Sequence, residues 1–309
     1  MERVVITGAT GMIGTALVRA CVQNGVRVVA VLRAESHKKD RISASPLVEV
    51  IECPLAELHR LPDLINGATD AFFHLGWEHT GPAKFDSIYY QTENINSTLL
   101  ALNAAKQLGC SVFLGAGSQA EYGPQALERI GRDTPCNPKL AYGICKYAAG
   151  KLALLEGEKI GLPVTWVRIF SVYGPYDKPT TMIASAVSRM LLGEPVAFTA
   201  GKQLWDYLYC DDAALAFFLL GQRGGAAKGV FCLGSGETRS ISDYIHVIAE
   251  ATNYRLPLQI GVLPYAPNQV MRICADISLL TQETGFVPAV TFEDGILRTI
   301  AAQRELLKL

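Results

Sequence analysis

Charge of one sign, clustered cysteines, paired histidines and long apolar runs are what this chain lacks, and each absence removes a class of function. Lysine plus arginine number 28 against 29 aspartate plus glutamate, a net charge of −1, so the expectation is no polyanion-binding surface and no nucleic-acid partner. Eight cysteines (Cys21, Cys53, Cys110, Cys136, Cys145, Cys210, Cys232, Cys274) include no Cys-x-x-Cys pair. Buried free thiols fit that scatter better than disulfides or zinc. His37, His59, His74, His79 and His246 show no metal-ligand spacing either, and no metal is expected. No apolar run reaches the roughly 20 residues of a membrane span. The first residues read as a strand, without a basic region and apolar core of a secretion signal, so a soluble, cytoplasmic protein is expected.

What is present is core. Of 309 residues half are hydrophobic and 18% charged, enough for a large interior and for two lobes. Strand-like runs at Val26–Leu32, Ala71–Leu75, Ser111–Leu114 and Val164–Ile169 alternate with helical stretches, the pattern of a parallel sheet wound on both sides. After Gly174-Pro175 shorter elements follow. Leu204–Tyr209 and Gly229–Leu233 read as strands returning to the main sheet, and Asp211–Leu220 as a helix. The proline-rich remainder from about residue 235 predicts most of a smaller lobe over the sheet's carboxyl edge, where open α/β sheets bind ligands.

Two local patterns carry chemistry. Arg3–Thr7 is a β-branched run leading into Thr7-Gly8-Ala9-Thr10-Gly11-Met12-Ile13-Gly14, after which Ile13, Leu17, Val18 and Cys21 mark one face of a helix. Gly8 allows the tight turn, Gly11 lets backbone approach a pyrophosphate, and Gly14 lets helix and strand pack closely. The phosphates rest on the helix N-terminus. Further on, Tyr142 and Lys146 stand four residues apart, on one face of a helix. An ammonium beneath a phenol favours its ionised form, and the expectation is a Tyr142 lowered toward working pH to exchange a proton. Alone, the spacing most often marks just a solvated lysine beside a half-buried tyrosine; the glycine turn changes that.

The order of glycine turn, Asp70-Ala71-Phe72-Phe73-His74-Leu75, Ser118-Gln119-Ala120-Glu121-Tyr122-Gly123, Tyr142-x-x-x-Lys146 and Arg168-Ile169-Phe170-Ser171-Val172-Tyr173-Gly174-Pro175 resembles the extended short-chain dehydrogenase/reductases, in their nucleotide-sugar epimerase, dehydratase and reductase branch. The likeness runs on through Ala275-Asp276-Ile277 and Phe292-Glu293-Asp294-Gly295-Ile296. It implies an α/β, Rossmann-type doubly wound parallel sheet with a smaller C-terminal substrate-binding lobe. Residues 1–171 plus about 204–234 would bind NAD(P), and about 172–203 plus 235–309 the substrate. By the same resemblance Ser118 orients the reacting sugar oxygen, Tyr142 moves the proton, and Lys146 tunes Tyr142 and holds the nicotinamide ribose. Gly8, Thr10, Gly11, Met12, Ile13, Gly14, Leu75 and Asn94 would line the cofactor, although Asn94 equally suits a plain polar helix position.

Departures from the family narrow the reading. Its 4,6-dehydratases carry Asp-Glu after the serine or threonine; Gln119 and Ala120 stand here and cannot titrate, and Glu121, one place on, is expected to point elsewhere. The acid expected at the end of the second strand is Leu32, followed by Arg33, Lys38 and Lys39. That basic run suits the 2′-phosphate of NADP, while Glu35 keeps NAD possible. Trp205 stands where many relatives place a diphosphate-binding arginine, and either stacks on a base or sugar or packs between lobes. Arg272 resembles the second such arginine, a surface ion pair being its other reading. Trp77 and His79 fall where the sugar pocket is implied, with Ser171 beside it, or else pack under their loop.

The function expected is reduction of a 4-keto-6-deoxy nucleotide-sugar at C4 by NADPH. A C4 epimerase with tightly held NAD, a reductase of small aromatic ketones and a non-catalytic dinucleotide sensor are the alternatives. Apolar stripes at Ile95, Leu99, Leu102 and Ala105, and at Ala148, Leu152 and Leu155, have helical period. In the family the corresponding helices pair in a homodimer.

Overall fold

The structure is a computed structural model and describes every residue except Glu35 and Pro82. The glutamate named above as a ribose ligand therefore lies outside the described residues. The chain runs β1 (Arg3–Thr7), α1 (Met12–Gln23), β2 (Arg27–Leu32), β3 (Val48–Glu52), α2 (Leu61–Leu64), β4 (Ala71–His74), α3 (Ile88–Gln107), β5 (Val112–Ser118), α4 (Ala141–Ile160), β6 (Val164–Ile169) and β7 (Ser171–Tyr173). It continues with α5 (Met182–Leu191), β8 (Ala197–Phe198), β9 (Leu204–Trp205), β10 (Tyr207–Tyr209), α6 (Cys210–Arg223) and β11 (Gly229–Leu233). Last come β12 (Arg239–Ser240), α7 (Ile241–Ala251), β13 (Gln259–Ile260), β14 (Arg272–Ile273), α8 (Ser278–Thr284) and α9 (Phe292–Leu307).

Among the described residues seven parallel strands form the main sheet in the order β11-β6-β5-β4-β1-β2-β3. Side-chain alternation along each strand feeds two cores. Val4 and Ile6 of β1, Phe73 of β4 and Leu114 of β5 face the layer of α1 and α6, whereas Val5, Phe72 and Phe113 face the layer of α3 and α4. Strands buried on both faces explain why these segments read as unbroken apolar runs. The order reverses between β1 and β4, so the chain leaves these two strands on opposite sides and opens a crevice at their carboxyl ends. The doubly wound parallel sheet expected from the sequence is the fold observed.

Two expectations fail. Leu204–Tyr209 does not rejoin the main sheet: β9 pairs with β12 and β14, and β10 with β7, in two small sheets. The cause is Asp206, fully buried between them, whose carboxylate accepts from Ser235 N at 2.6 Å, Gly236 N at 3.1 Å and Ala275 N at 2.9 Å. Those bonds tie the segment to residues 235, 236 and 275. The second failure is the apolar stripe of α3. Leu102 and Ala105 are completely buried against the parent sheet, while Ile95 and Leu99 are half-buried.

Candidate active site

At the end of β1, Gly8 takes φ +69, and a Cβ there would lie 2.7 Å from the backbone carbon of Leu75. A Cβ on Gly14 would lie 2.2 Å from Gly8 O. Both positions admit only glycine, and together they press the loop against β4 and seat α1 directly behind it. Gly11 caps α1 with no side-chain bond and no acid follows in the first turn, so the helix presents its N-terminal amides, including those of Met12 and Ile13, to the crevice. A cavity of about 200 Å³ opens here, lined by Gly8, Thr10, Leu32, Arg33, Trp77 and His79 among others. A dinucleotide fits this cradle: its closest walls are backbone, and its electrostatics suit an anion.

The rim after β2 is basic. Arg33 is 64% exposed and lies 3.8 Å from Glu78. Lys38 is lowered from its ordinary value by burial and then by the neighbouring charges of Arg41 and Arg33. Arg41 donates to Thr10 O at 3.3 Å and lies 4.4 Å over the Tyr176 ring. Lys39, by contrast, is taken up by Glu52. Thus three cations gather beside the cleft where the sequence pointed to one arginine and two lysines.

Ser118 ends β5 and Tyr142 and Lys146 lie on α4, whose first N–H, that of Ala141, is capped by Asp86 Oδ1 at 2.6 Å. Burial pushes the Tyr142 phenol up to about 12, against a lowering effect of the Ser118 hydroxyl. The expected lowering of Tyr142 by Lys146 is therefore not what the geometry produces. The Lys146 ammonium is fully enclosed, donates to Ala116 O at 2.7 Å, and sits 3.7 Å over the Trp77 ring, against 5.9 Å for the Tyr142 ring. Burial brings it down to about 7, Glu121 resists and Lys178 adds to the fall.

Aromatic rings close over the phenol: Phe85 stacks at 4.4 Å and Trp77 meets it edge-on at 6.0 Å. The loop carrying them is held by Gln91, completely buried, which accepts from Trp77 Nε1 at 2.9 Å and donates to His79 O and Lys84 O. Asn94 spends both ends of its amide on the backbone of Glu78, so it shapes the cleft wall. His79 adopts φ +60, pairs with Glu93 at 3.1 Å and packs on Tyr90. In the lobe, Trp205 Nε1 donates to Ser171 Oγ at 2.7 Å, and Arg272, one strand away on β14, donates to Glu128 O at 3.2 Å. Sequence reasoning missed Phe85, Asp86, Gln91 and Arg41. None belongs to a motif, and Arg41 alone announced itself through its charge.

A dinucleotide cradle at a sheet crevice, beside a serine, a tyrosine and a lysine that converge from β5 and α4, makes this crevice the candidate active site of a Rossmann-type fold. Residues 4–234 match the profile of the NAD dependent epimerase/dehydratase family, and the chain belongs to that family. It is 25% identical over 307 residues to a dTDP-glucose 4,6-dehydratase of Streptomyces griseus, covering 96% of this chain and 92% of that one. Among solved structures, UDP-glucose 4-epimerase of Thermotoga maritima superimposes with a TM-score of 0.86 at 24% identity, covering 99% and 100% of the two chains. UDP-glucuronic acid 4-epimerase of Bacillus cereus, in complex with UDP-glucuronic acid and NAD, does so at 0.84 and 23%, over 99% and 100%. The nucleotide-sugar branch expected from the motifs is thereby shown.

Proposed function

We propose that this enzyme reduces a 4-keto-6-deoxy nucleotide-sugar at C4 with NADPH. The observation that carries the reading is the convergence of Ser118, at the end of β5, with Tyr142 and the buried Lys146 on α4, with the half-buried phenol in the neutral form a proton donor needs. Ser118 orients the ketone oxygen, Tyr142 gives it a proton as negative charge develops, and Lys146 supplies the nearby positive charge. Bound nicotinamide supplies the hydride chemistry. Gln119 and Ala120 offer no titrating group for the additional proton transfers of a dehydration, which separates this chain from its dehydratase relatives.

The basic rim of Arg33, Lys38 and Arg41 supports NADP, since three like charges held together favour an anion such as a 2′-phosphate. Trp205, Ser171 and Arg272 would meet the nucleotide, with the lobe beyond β11 as the substrate's share of the chain. A homodimer is part of the reading, with its face moved outward to Ile144, Leu152 and Leu155 of α4, which are 49%, 40% and 51% exposed.

Epimerisation at C4 is the second reading, favoured by two ties across the cleft. Arg41 lies over Tyr176 and Lys178 donates to Thr80 O at 3.2 Å, an arrangement that would retain a dinucleotide between turnovers. Incubation with NADPH and dTDP-4-keto-6-deoxyglucose separates the two: reduction consumes one NADPH per sugar. Protein that purifies with bound NAD and interconverts UDP-glucose and UDP-galactose without net consumption would replace the first reading by the second.

A further inference from the structure

Glu121 is an acid three residues from Ser118 that the proton chemistry leaves unused. Its side chain is 1% exposed and that of its partner Arg168 5%. Oε1 accepts from the backbone N–H of Ser118 at 2.8 Å and from Trp166 Nε1 at 2.9 Å, while Oε2 accepts from Arg168 Nε at 2.8 Å. Arg168 also donates to Arg132 O at 3.2 Å and lies 4.6 Å over the Tyr122 ring. In return Ser118 Oγ accepts from Ala120 N at 3.2 Å, completing a reciprocal capping box.

The surroundings are cut to fit this network. A Cβ at Gly115, Gly117 or Gly150 would come within 2.3, 2.4 or 2.6 Å of the Trp166 ring. β5 and the catalytic helix α4 therefore both give up side chains to seat the indole that bonds Glu121. A buried ion pair is a poor way to add stability, because desolvating two charges offsets most of their attraction and apolar replacements often serve as well. What the pair supplies here is placement. A charged acceptor fixes the Ser118 amide, and the Ala120 bond then fixes which way Oγ faces. The carboxylate also favours the charged Lys146 and the neutral Tyr142.

We propose that the Glu121–Arg168 pair, braced by Trp166, is the positioning device for Ser118. The inference rests on the reading of Ser118 as the hydroxyl that orients the substrate oxygen. Its test is a cycle of variants followed by single-turnover reaction with NADPH and dTDP-4-keto-6-deoxyglucose, and by UDP-glucose interconversion. Glu121→Leu/Arg168→Met removes both charges and the acceptor; Glu121→Gln/Arg168→Met removes the charges and keeps a carbonyl acceptor for Ser118. The first should lower kcat by roughly 10²-fold, the scale of an ångström-sized misplacement, with KM and NADPH affinity little changed. The second should recover most of the rate. Ser118→Ala should cost much less in the Leu/Met background than in wild type. Full additivity of the two losses, or equal losses in the two double variants, overturns the proposal.

Amide hydrogen exchange gives a readout independent of substrate. The Ser118 amide should be protected in wild type and in the Gln/Met protein, and should lose protection in the Leu/Met protein while its β5 neighbours keep theirs. Unchanged protection in the Leu/Met protein overturns the inference. If neither sugar turns over in wild type, the functional reading fails, and exchange at Ser118 still decides whether Glu121 holds it.

Discussion

Replacing Tyr142 by phenylalanine removes one oxygen and leaves the ring between Phe85 and Trp77 in place. Burial pushes the phenol's ionisation from 10 to about 12. That displacement corresponds to about 3 kcal/mol favouring the neutral phenol. The ring contacts, 4.4 Å to Phe85 and 6.0 Å to Trp77, survive the change. Stability should fall only slightly, and dinucleotide affinity should stay within about twofold, since the cradle is built from β1 and α1. The rate of ketone reduction should fall by roughly 10²–10⁴. Single-turnover kinetics with NADPH in excess, beside a melting curve and a cofactor titration, reads all three quantities. A variant that retains more than about a tenth of the wild-type rate would show that another group delivers the proton.

Four other outcomes follow from the same geometry. Arg33→Ala and Lys38→Ala should each shrink the preference for NADPH over NADH in titration calorimetry, and equal affinity of wild type for both cofactors would refute the basic rim as a phosphate site. Lys146→Met should stabilise the cofactor-free protein and flatten its pH dependence, as read by calorimetry. Below about pH 7 the ammonium is carried in both folded and unfolded chains and the burial cost is fully present. Between about 7 and the ordinary 10.5 the folded state sheds its proton first, so wild-type stability should climb through that window. Leu155→Glu, on a half-exposed outer position of α4, should give a folded monomer by light scattering; a wild type already monomeric at micromolar concentration would remove the dimer. Leu102→Glu should instead unfold the chain, because that residue is fully buried.

The main sheet was legible because strands buried on both faces leave uninterrupted β-branched runs, and Gly8 and Gly14 were legible because their backbone approaches admit no side chain. Leu204–Tyr209 misled for a local reason. Its alternation is that of a strand, and nothing in the segment shows that Asp206 will be claimed by amides of residues 235, 236 and 275. The α3 stripe misled because a helical period marks a buried face without saying what buries it, and Leu102 goes to the parent sheet. At the site, the Tyr142–Lys146 pair was readable from spacing and Ser118 only through the family resemblance, but the Tyr142 shift was not readable at all. Its sign depends on enclosure by Phe85 and Trp77, and on Lys146 turning toward Trp77 and Ala116. Glu121 was expected to point elsewhere and does so, into a pocket made with Trp166 of β6, which Gly115 and Gly117 of β5 and Gly150 of α4 make room for, a convergence that adjacency in sequence does not display.

The proposed reaction requires hydride to reach C4 of the sugar and a proton to reach its O4 at the Ser118–Tyr142–Lys146 site. Incubating the enzyme with NADPH deuterated at nicotinamide C4, on the transferred face, and dTDP-4-keto-6-deoxyglucose measures that directly. One deuterium should appear at sugar C4, one NADPH should be consumed per product, and both should vanish together in Tyr142→Phe. Product without deuterium at C4, or transfer that persists in Tyr142→Phe, would contradict it.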